Sequence, residues 1–240
     1  MLALFPFEPA LYEAVNIPVT FIGHPLADEI PLRPNKKAAR EALKLKSNQL
    51  IVAMLPGSRQ SEVQQHADLF VKTAQLISEG HPQATFLVPL ITRETRNLFE
   101  IALHKNANEA LNFQILFGHA HDAMEASDLV IVASGTATLE AALLKRPMVI
   151  TYHMPKLSWW ILKRMSYLPY VGLPNILAEK FLVPELLQDA ATPQSLADAV
   201  TNLLNDPNYL KEIKKGFTNI HLSLKQNAAK RAAEVVLSYL

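Results

Sequence analysis

Short apolar runs rich in β-branched residues recur through the first 152 residues of the chain. Unbroken apolar character over four to six residues is typical of strands that are buried on both faces of a parallel sheet. Six such runs predict strands at residues 19–22, 50–55, 85–89, 113–117, 129–133 and 148–152.

Helical patterns separate most of these runs. Residues 62–78 place five apolar side chains on roughly one stripe, namely Val63, Leu69, Phe70, Ala74 and Ile77. Further helices are predicted at residues 93–105, 120–126, 136–144, 195–204 and 209–240. The alternation of strands and helices predicts an α/β fold with a doubly wound parallel sheet, followed by C-terminal helices.

The composition fits a globular protein of one large domain, or of one domain and part of another. Half of the 240 residues are apolar and 19% are charged. The 23 basic and 22 acidic residues nearly balance, so no nucleic-acid partner is expected and any anion site is local. The chain has no cysteine, which excludes disulfides and thiolate metal sites and allows a cytosolic location.

No stretch of the sequence predicts a transmembrane helix. The longest apolar candidate, residues 157–168, is interrupted by Lys163 and Arg164. It would reach about 18 Å, against about 30 Å of hydrocarbon. The N-terminus lacks a basic region and its apolar run is broken by Pro6, so no secretory signal is expected. Residues 157–165 combine aromatic and basic side chains, which fits either a helix on lipid headgroups or a helix packed on the protein.

The first of two loops with candidate chemistry follows the predicted strand at 50–55 and opens a helix. It reads Leu55-Pro56-Gly57-Ser58-Arg59-Gln60-Ser61-Glu62. Small residues let backbone N–H groups approach an anion at a helix N-terminus. Ser58 adds a hydroxyl donor, and Arg59 adds donors suited to phosphate oxygens. The alternative is a tight turn with an exposed arginine, in which Glu62 compensates the helix dipole.

The second loop follows the predicted strand at 129–133 and also starts a helix. It reads Ala133-Ser134-Gly135-Thr136-Ala137-Thr138-Leu139-Glu140. Its small residues let the backbone come close to a ligand, and its three hydroxyls are donors near the helix start. Glu140 lies four residues after Thr136 on one helix face, where its carboxylate can accept two hydrogen bonds from a ribose diol. The alternative is a hydroxyl-capped helix with a solvated Glu140.

The two loops are stronger evidence together than separately. In an open parallel sheet, ligands bind at the carboxyl ends of the strands, and both loops lie at such ends. We expect them to share a crevice in which one loop holds a diphosphate and the other a ribose or a second face of the phosphate. Neither loop matches the G-x-G-x-x-G pattern or a Walker A motif, so NAD binding and ATP hydrolysis are not predicted.

These loops make the chain similar to lipid-A-disaccharide synthase, an inverting glycosyltransferase with the two-domain GT-B fold. The resemblance runs through most of the chain, with matching order and spacing. Besides the two loops, it includes Leu4-Phe5-Pro6-Phe7-Glu8, Phe21-Ile22-Gly23-His24-Pro25, Ala126-Ser127-Asp128 and Leu173-Pro174-Asn175-Ile176-Leu177. Ser-Gly-Thr-Ala-Thr-Leu-Glu and Leu-Pro-Asn-x-Leu-Ala are rather specific together, whereas the Gly-Ser-Arg loop also occurs in related GT-B enzymes.

The resemblance implies a reaction and its partners. UDP-2,3-diacylglucosamine is the expected donor and 2,3-diacylglucosamine 1-phosphate the expected acceptor, giving a β-1,6-linked lipid A disaccharide 1-phosphate and UDP. Lipid substrates imply a peripheral location on the cytoplasmic face of the bacterial inner membrane. No cofactor or metal is expected, because positive donors and helix N-termini take the place of a metal at the diphosphate.

The family's donor site maps onto the two loops and one further motif. Arg59 is expected to stabilise the departing UDP, and Glu140 to bind the ribose. The residues expected to share the diphosphate are Gly57, Ser58, Ser134, Gly135, Thr136, Ala137 and Thr138. Asn175 is expected at the mouth of the cleft, with a turn-stabilising role as the alternative. Further cleft candidates are Glu62, Tyr152 and His24, the last with a structural turn histidine as its alternative.

The chain departs from the family on its N-terminal side. The family's N-terminal domain carries an early Gly-Glu-x-Ser-Gly-Asp motif, the acceptor site and the candidate base carboxylate, none of which has a match here. We interpret the chain as a fragment, a misassigned start or one half of a split enzyme. We expect a remnant of the acceptor domain in residues 1–18 and the UDP-sugar-binding Rossmann-like domain in 19–222. Residues 223–240 would cross back as a helix, with its apolar face exposed or paired in a homodimer.

Two other functions remain open. Another GT-B enzyme, such as a UDP-N-acetylglucosamine epimerase or the peptidoglycan transferase of lipid II synthesis, would share the nucleotide-site geometry. The Leu-Pro-Asn-Ile-Leu-Ala segment disfavours that alternative. A nucleotide-sugar-binding module that does not catalyse on its own is favoured by the missing base carboxylate.

Overall fold

A six-stranded parallel sheet forms the centre of the protein. The computed structural model describes residues 1–106, 111–133, 135–154 and 169–238. In chain order the strands are β1 (Leu2–Ala3), β2 (Thr20–Phe21), β3 (Ile51–Leu55), β4 (Thr85–Leu90), β5 (Asn112–Phe117), β6 (Leu129–Ala133), β7 (Met148–Tyr152) and β8 (Glu185–Leu187). The large sheet has the order β5-β4-β3-β6-β7-β8, and every neighbouring pair is parallel.

Helices connect these strands and cover the sheet. They are α1 (Glu8–Glu13), α2 (Pro25–Glu29), α3 (Lys36–Ala42), α4 (Gln60–Gly80), α5 (Arg93–Asn106), α6 (Ala120–Ala126), α7 (Thr136–Leu143), α8 (Leu173–Ala178), α9 (Pro193–Asn205), α10 (Pro207–Leu224) and α11 (Ala228–Leu237). Every residue of β3, β4 and β6 is buried. Because successive strand side chains point to opposite faces, both faces of the sheet are covered. The predicted α/β class with a parallel sheet and C-terminal helices is confirmed.

The apolar stripe of α4 shows how the sequence pattern becomes packing. Val63, Phe70 and Ala74 on this helix are fully buried and belong to the same core as the strands. Their spacing of seven and four residues puts them on one face of a helix, and burying each large side chain contributes about 1.5–3 kcal/mol. The stripe therefore fixes how α4, and the loop that precedes it, sit on the sheet.

One predicted strand belongs to another sheet. The run at residues 19–22 was expected to join the doubly wound sheet, but only Thr20 and Phe21 pair, and they pair with β1 in a separate two-stranded sheet. Pro18 has no backbone donor and Gly23 has a φ of 85°, so the run is bounded on both sides. This pairing crosses the expected boundary between residues 18 and 19. The sheet is completed instead by β8, a half-buried edge strand that the sequence patterns did not predict.

The strand order creates a switch point between β3 and β6. From β3 the chain moves through β4 to β5, and it then returns to the other side of β3 to begin β6. The last residue of β3, Leu55, is in register with Val132 of β6. The loops that leave these two strands therefore diverge from adjacent points, which is where open α/β sheets bind ligands.

The C-terminal stretch predicted as helical at residues 209–240 forms two helices, the second of which lies within the predicted crossing helix at 223–240. Helix α10 ends at Leu224, and α11 begins after Asn227, which adopts a left-handed conformation with a φ of 57°. The Asp28 carboxylate accepts hydrogen bonds from the backbone N–H groups of Asn227 and Ala228, at 3.0 and 2.6 Å. Within α11, Val236 and Leu237 are exposed.

Among the described residues, no helix combines the length and the apolar character that crossing a membrane requires. The aromatic and basic segment at residues 157–165 lies outside the described residues.

Candidate functional site

A cavity of about 440 Å³ opens at the carboxyl ends of β3 and β6. The first loop contributes Gly57, Ser58, Arg59 and Glu62 to its wall, and the second contributes Gly135, Thr136 and Ala137. Tyr152, at the end of β7, lies beside them. The structure therefore brings the two predicted loops to one cavity, and it places Glu62 and Tyr152 in the wall as expected.

The first loop is folded around the Glu62 carboxylate. Oxygen Oε2 of Glu62 accepts hydrogen bonds from the backbone N–H groups of Ser58 and Arg59, at 2.9 and 3.2 Å. Gly57 adopts a φ of 124°, and a Cβ placed on it would lie 2.4 Å from Cβ of Glu62. The sequence suggested that these N–H groups bind an anion, but in this structure a side chain of the same loop occupies them. Glu62 thus does more than compensate a helix dipole.

Arg59 is the exposed cation at this site. Its side chain is 80% exposed, and Nη1 lies 3.4 Å from Oε1 of Glu62, a long contact. Exposed pairs of this kind contribute about 0–1 kcal/mol, so the guanidinium is free to turn toward an anion in the cavity. The positive charge that the sequence predicted at this loop is therefore present and available.

The second loop presents open backbone to the cavity. Gly135 has a φ of 151°, which favours glycine, and no described atom lies within 4 Å of the place where its Cβ would be. Helix α7 begins at the next residue, so its positive dipole end faces the same space. Ser134 lies outside the described residues.

The Thr138 hydroxyl is turned away from the cavity. Its Oγ1 donates a hydrogen bond of 2.8 Å to the Gly135 carbonyl, and the residue is fully buried. The expectation that this hydroxyl shares a diphosphate is corrected, because it caps its own helix turn. Thr136 and Ala137, by contrast, do line the cavity.

Glu140 is held by a residue that the sequence analysis did not select. Oε1 of Glu140 lies 3.0 Å from Nδ1 of His121, which belongs to α6. The pKa of His121 is raised, chiefly by this hydrogen bond and also by the charges of Glu140, Glu125 and Asp122. The alternative of a simply solvated Glu140 does not fit, since one of its carboxylate oxygens contacts the His121 ring.

Two predicted cleft residues have structural roles instead. Asn175 was expected at the mouth of the cleft, but it is fully buried. Its Oδ1 accepts from the N–H groups of Leu182 and Val183, and its Nδ2 donates to Glu185. His24 caps α2 by accepting from the Leu26 N–H at 3.2 Å, and it does not line the cavity. The turn-stabilising alternatives fit both residues.

A buried histidine connects two walls of the cavity. In the arrangement that satisfies both nitrogens, Nδ1 of His66 donates to the Glu62 carbonyl at 2.8 Å, and Nε2 accepts from the His153 N–H at 3.1 Å. The His66 ring also packs against Tyr152, with centroids 6.0 Å apart. Burial lowers the pKa of His66, so the neutral ring that can both donate and accept is favoured.

A larger cavity of about 970 Å³ lies at the opposite, amino edge of the sheet. Two of its basic residues, Lys36 and Arg40, are paired with the Asp128 carboxylate. Asp128 accepts hydrogen bonds from Lys36, from Nη2 of Arg40 at 2.7 Å and from the Ile51 N–H at 2.8 Å. Size alone therefore does not identify the ligand site. The carboxyl edge carries the open glycine and the exposed arginine.

Comparison with known proteins identifies the family of this chain. A family model described as lipid-A-disaccharide synthetase matches residues 1–238. The chain belongs to the lipid-A-disaccharide synthase family. It is 60% identical over 240 residues to the lipid-A-disaccharide synthase of Methylobacillus flagellatus, covering the whole chain and 64% of that protein. It is 56% identical over 241 residues to the enzyme of Dechloromonas aromatica, covering 63% of that protein. The chain thus spans less than two thirds of these relatives' length.

Solved structures of several other enzymes share the fold of this chain. Sucrose-phosphate synthase from Thermosynechococcus elongatus aligns with a TM-score of 0.61 at 17% identity, covering 99% of this chain and 58% of that one. UDP-GlcNAc 2-epimerase from Neisseria meningitidis, bound to UDP-GlcNAc, aligns with a TM-score of 0.64 at 16% identity, covering 94% and 58%. At these identities the likeness shows the fold alone.

Within the described residues, no group of three or more His, Cys, Asp or Glu side chains is arranged to hold a metal ion. The cavity carries one arginine, the starts of α4 and α7, and the open backbone at Gly135. Sequence patterns missed the partners of its charged groups. His121 and His66 belong to no motif in the sequence. A weak indication of a role for His121 is its place at the start of a predicted helix that follows a predicted strand.

Proposed function

We propose that this chain binds the UDP group of a nucleotide-sugar lipid in the cavity between the two loops, as the donor-binding part of a lipid-A-disaccharide synthase. One observation carries the proposal. Leu55 and Val132 end adjacent strands in register, and the glycine-containing loops that follow them line a single cavity. Both loops lead into helices, so two positive helix ends converge where a diphosphate would lie.

The binding groups divide between the two loops. The first loop would contribute the Arg59 guanidinium, since its backbone donors are taken by Glu62. The second would contribute the backbone around Gly135 and the first turn of α7, where the space is open. Glu140 would accept hydrogen bonds from the ribose hydroxyls. This arrangement supplies positive charge to the departing UDP, which stabilises the transition state electrostatically.

The proposed reaction is a glycosyl transfer with inversion. The 6-hydroxyl oxygen of 2,3-diacylglucosamine 1-phosphate forms a bond to the anomeric carbon of UDP-2,3-diacylglucosamine. On the opposite face of the sugar ring, the bond from that carbon to the phosphate oxygen breaks and UDP leaves. A base takes the proton of the attacking hydroxyl. Among the described cavity residues, the only carboxylate is that of Glu62, and it already accepts two backbone hydrogen bonds. The proposal therefore assigns the base to residues outside this cavity.

Because the base is assigned to residues outside this cavity, a second candidate function is that this chain alone binds the nucleotide sugar without turning it over. Calorimetric titration with UDP tests the binding that both candidates require. We expect saturable UDP binding that is weakened in Glu140→Ala and is insensitive to EDTA. No UDP binding by the wild-type chain would overturn both candidates. Disaccharide formation from the two lipid substrates by this chain alone would reject the second.

The lipid substrates lead to a further part of the proposal. Chemistry on acylated sugars places the protein at the cytoplasmic surface of the inner membrane, and the aromatic and basic residues in 157–165 have the composition of a headgroup-binding segment. Pairing through the exposed apolar face of α11 would give a homodimer. Flotation with vesicles containing anionic lipid checks the first statement, and sedimentation checks the second. Protein that stays at the bottom of the gradient, or sediments as a monomer, contradicts the respective statement.

A further inference from the structure

The pair formed by His121 and Glu140 joins α6 and α7, two of the helices that begin at the cavity. Ala120, the first residue of α6, and Thr136, the first residue of α7, both line the cavity. His121 follows Ala120 directly, and Glu140 lies one turn after Thr136. Their 3.0 Å contact therefore lies immediately behind the cavity rim.

The contact uses only one oxygen of Glu140. Oε1 faces Nδ1 of His121, while Oε2 has no hydrogen-bond partner among the described residues. The Glu140 side chain is 24% exposed, so it is neither sealed in the core nor fully solvated. A carboxylate with one oxygen anchored and the other open has lost much of its rotational freedom. This reduces the entropy cost of binding a second donor.

The charges around His121 favour its positive form. On its own helix, Glu125 lies 4.0 Å from Nε2, and Asp122 adds a weaker attraction. On α7, Glu140 supplies the main contact. Asp122 is also paired with His119 at 2.8 Å, and the Arg146 charge interacts with Glu125. These charges raise the pKa of His121, and protonation of its ring strengthens the contact with Glu140.

We propose that His121 is a positioning residue that holds the Glu140 carboxylate in place for the ribose hydroxyls of a uridine nucleotide. The inference rests on the proposed donor site and adds a residue to it. His121 touches neither the sugar nor the phosphates; it acts through Glu140. Its removal should weaken binding only of nucleotides that carry ribose hydroxyls, because only these meet Glu140.

A comparison of two ligands isolates this role. The binding of UDP and of 2′,3′-dideoxy-UDP is measured by calorimetry for the wild type and for Glu140→Ala, His121→Ala, His121→Gln and His121→Arg. We expect the wild type to prefer UDP by roughly tenfold, which is what a charge-assisted hydrogen bond provides. Glu140→Ala and His121→Ala should reduce this preference to about twofold or less, and His121→Arg should restore most of it because it keeps the cation.

The pH dependence of the same ratio gives a second readout. Titration of the ligand phosphates cancels in the ratio of the two affinities. The wild-type preference should be largest at low pH, where His121 is protonated, and should fall as pH rises through the pKa of His121. In His121→Arg it should not change between pH 6 and 8. His119→Asn, which removes a neighbouring histidine that does not contact Glu140, should behave as wild type.

The outcomes separate this inference from the proposed function. A wild type that binds no UDP overturns the proposed function and this inference with it. A wild type that binds UDP and dideoxy-UDP equally leaves UDP binding intact and overturns the inference. A full preference for UDP retained in both His121→Ala and His121→Gln also overturns the inference. An equal loss of affinity for both ligands in these variants overturns it as well, because it would mean that His121 has a structural role only.

Discussion

The two edges of the sheet use the same strands for different purposes. At the amino edge, the Asp128 carboxylate just before β6 accepts hydrogen bonds from Arg40, Lys36 and the first residue of β3, so its acceptor capacity is taken up within the protein. At the carboxyl edge, β3 and β6 end in loops with glycines of positive φ, and Arg59 is 80% exposed. Charges that are satisfied internally stabilise the fold, whereas those left open are available to a ligand.

This difference matters because the amino edge has the larger cavity and also carries basic residues. Volume and positive charge alone would select the wrong edge. The carboxyl edge is distinguished by the switch point of the strand order and by two helix starts, which are the features that a diphosphate requires. Substitutions at the two edges should therefore affect different measurements.

The largest effect is expected from Asp128→Ala. It leaves the buried Arg40 guanidinium, Lys36 and a backbone N–H without their acceptor, and losing one member of a buried charged network costs about 3 kcal/mol. Chemical denaturation should show this loss of unfolding free energy, while UDP affinity of the folded protein is unchanged. Glu41→Ala on the same surface is the control, because its pair with Lys37 is exposed and 3.8 Å long. An equal effect of both variants would contradict the distinction.

Next in size is Arg59→Ala. We expect UDP affinity to fall about tenfold to a hundredfold, which corresponds to losing one or two hydrogen bonds to a charged group. Thermal stability should stay the same, since the side chain is exposed. Arg93→Ala provides a matched control, as Arg93 is also an exposed arginine at the start of a helix on this edge. If the control weakens UDP binding as much, the charge acts at long range and the site is not at Arg59.

A smaller change is expected from Gly57→Ala, which tests the first loop. The new Cβ would collide with Glu62 in a conformation that favours glycine, at a cost of about 1–3 kcal/mol. Both the melting temperature and UDP affinity should fall, because the loop that carries Arg59 is displaced. Gly80→Ala, at the end of the same helix with open space around it, should instead be neutral or stabilising by up to about 1 kcal/mol. Equal behaviour of the two glycines would argue against a constrained loop.

The strand and helix patterns predicted the class of fold and the convergence of the two loops. These follow from local rules, namely apolar runs, helix starts and the tendency of parallel strands to place their carboxyl ends together. Roles that depend on distant partners were not predictable. Asn175 is buried because Leu182, Val183 and Glu185 surround it, and Glu140 meets His121 nineteen residues away. The short strand β8 also lacked a pattern, since its three residues are only half buried.

The smallest effect concerns pH and His66. Its pKa is lowered in the folded protein, so the unfolded chain binds more protons just below the ordinary histidine pKa. The stabilisation is complete above about pH 6.5 and is lost as pH falls below it. His66→Gln should flatten the dependence of the melting temperature on pH between 7 and 5. An unchanged slope would mean that other histidines account for it, among them His24 and His221, whose pKa values are also lowered.

A crystal structure of the chain with UDP bound tests the central claim most directly. We predict that the diphosphate lies within about 3 Å of the Arg59 guanidinium and of the first backbone N–H groups of α7, with the ribose hydroxyls on Glu140. UDP found instead at the amino edge, against Lys36 and Arg40, with the carboxyl-edge cavity empty, would contradict it.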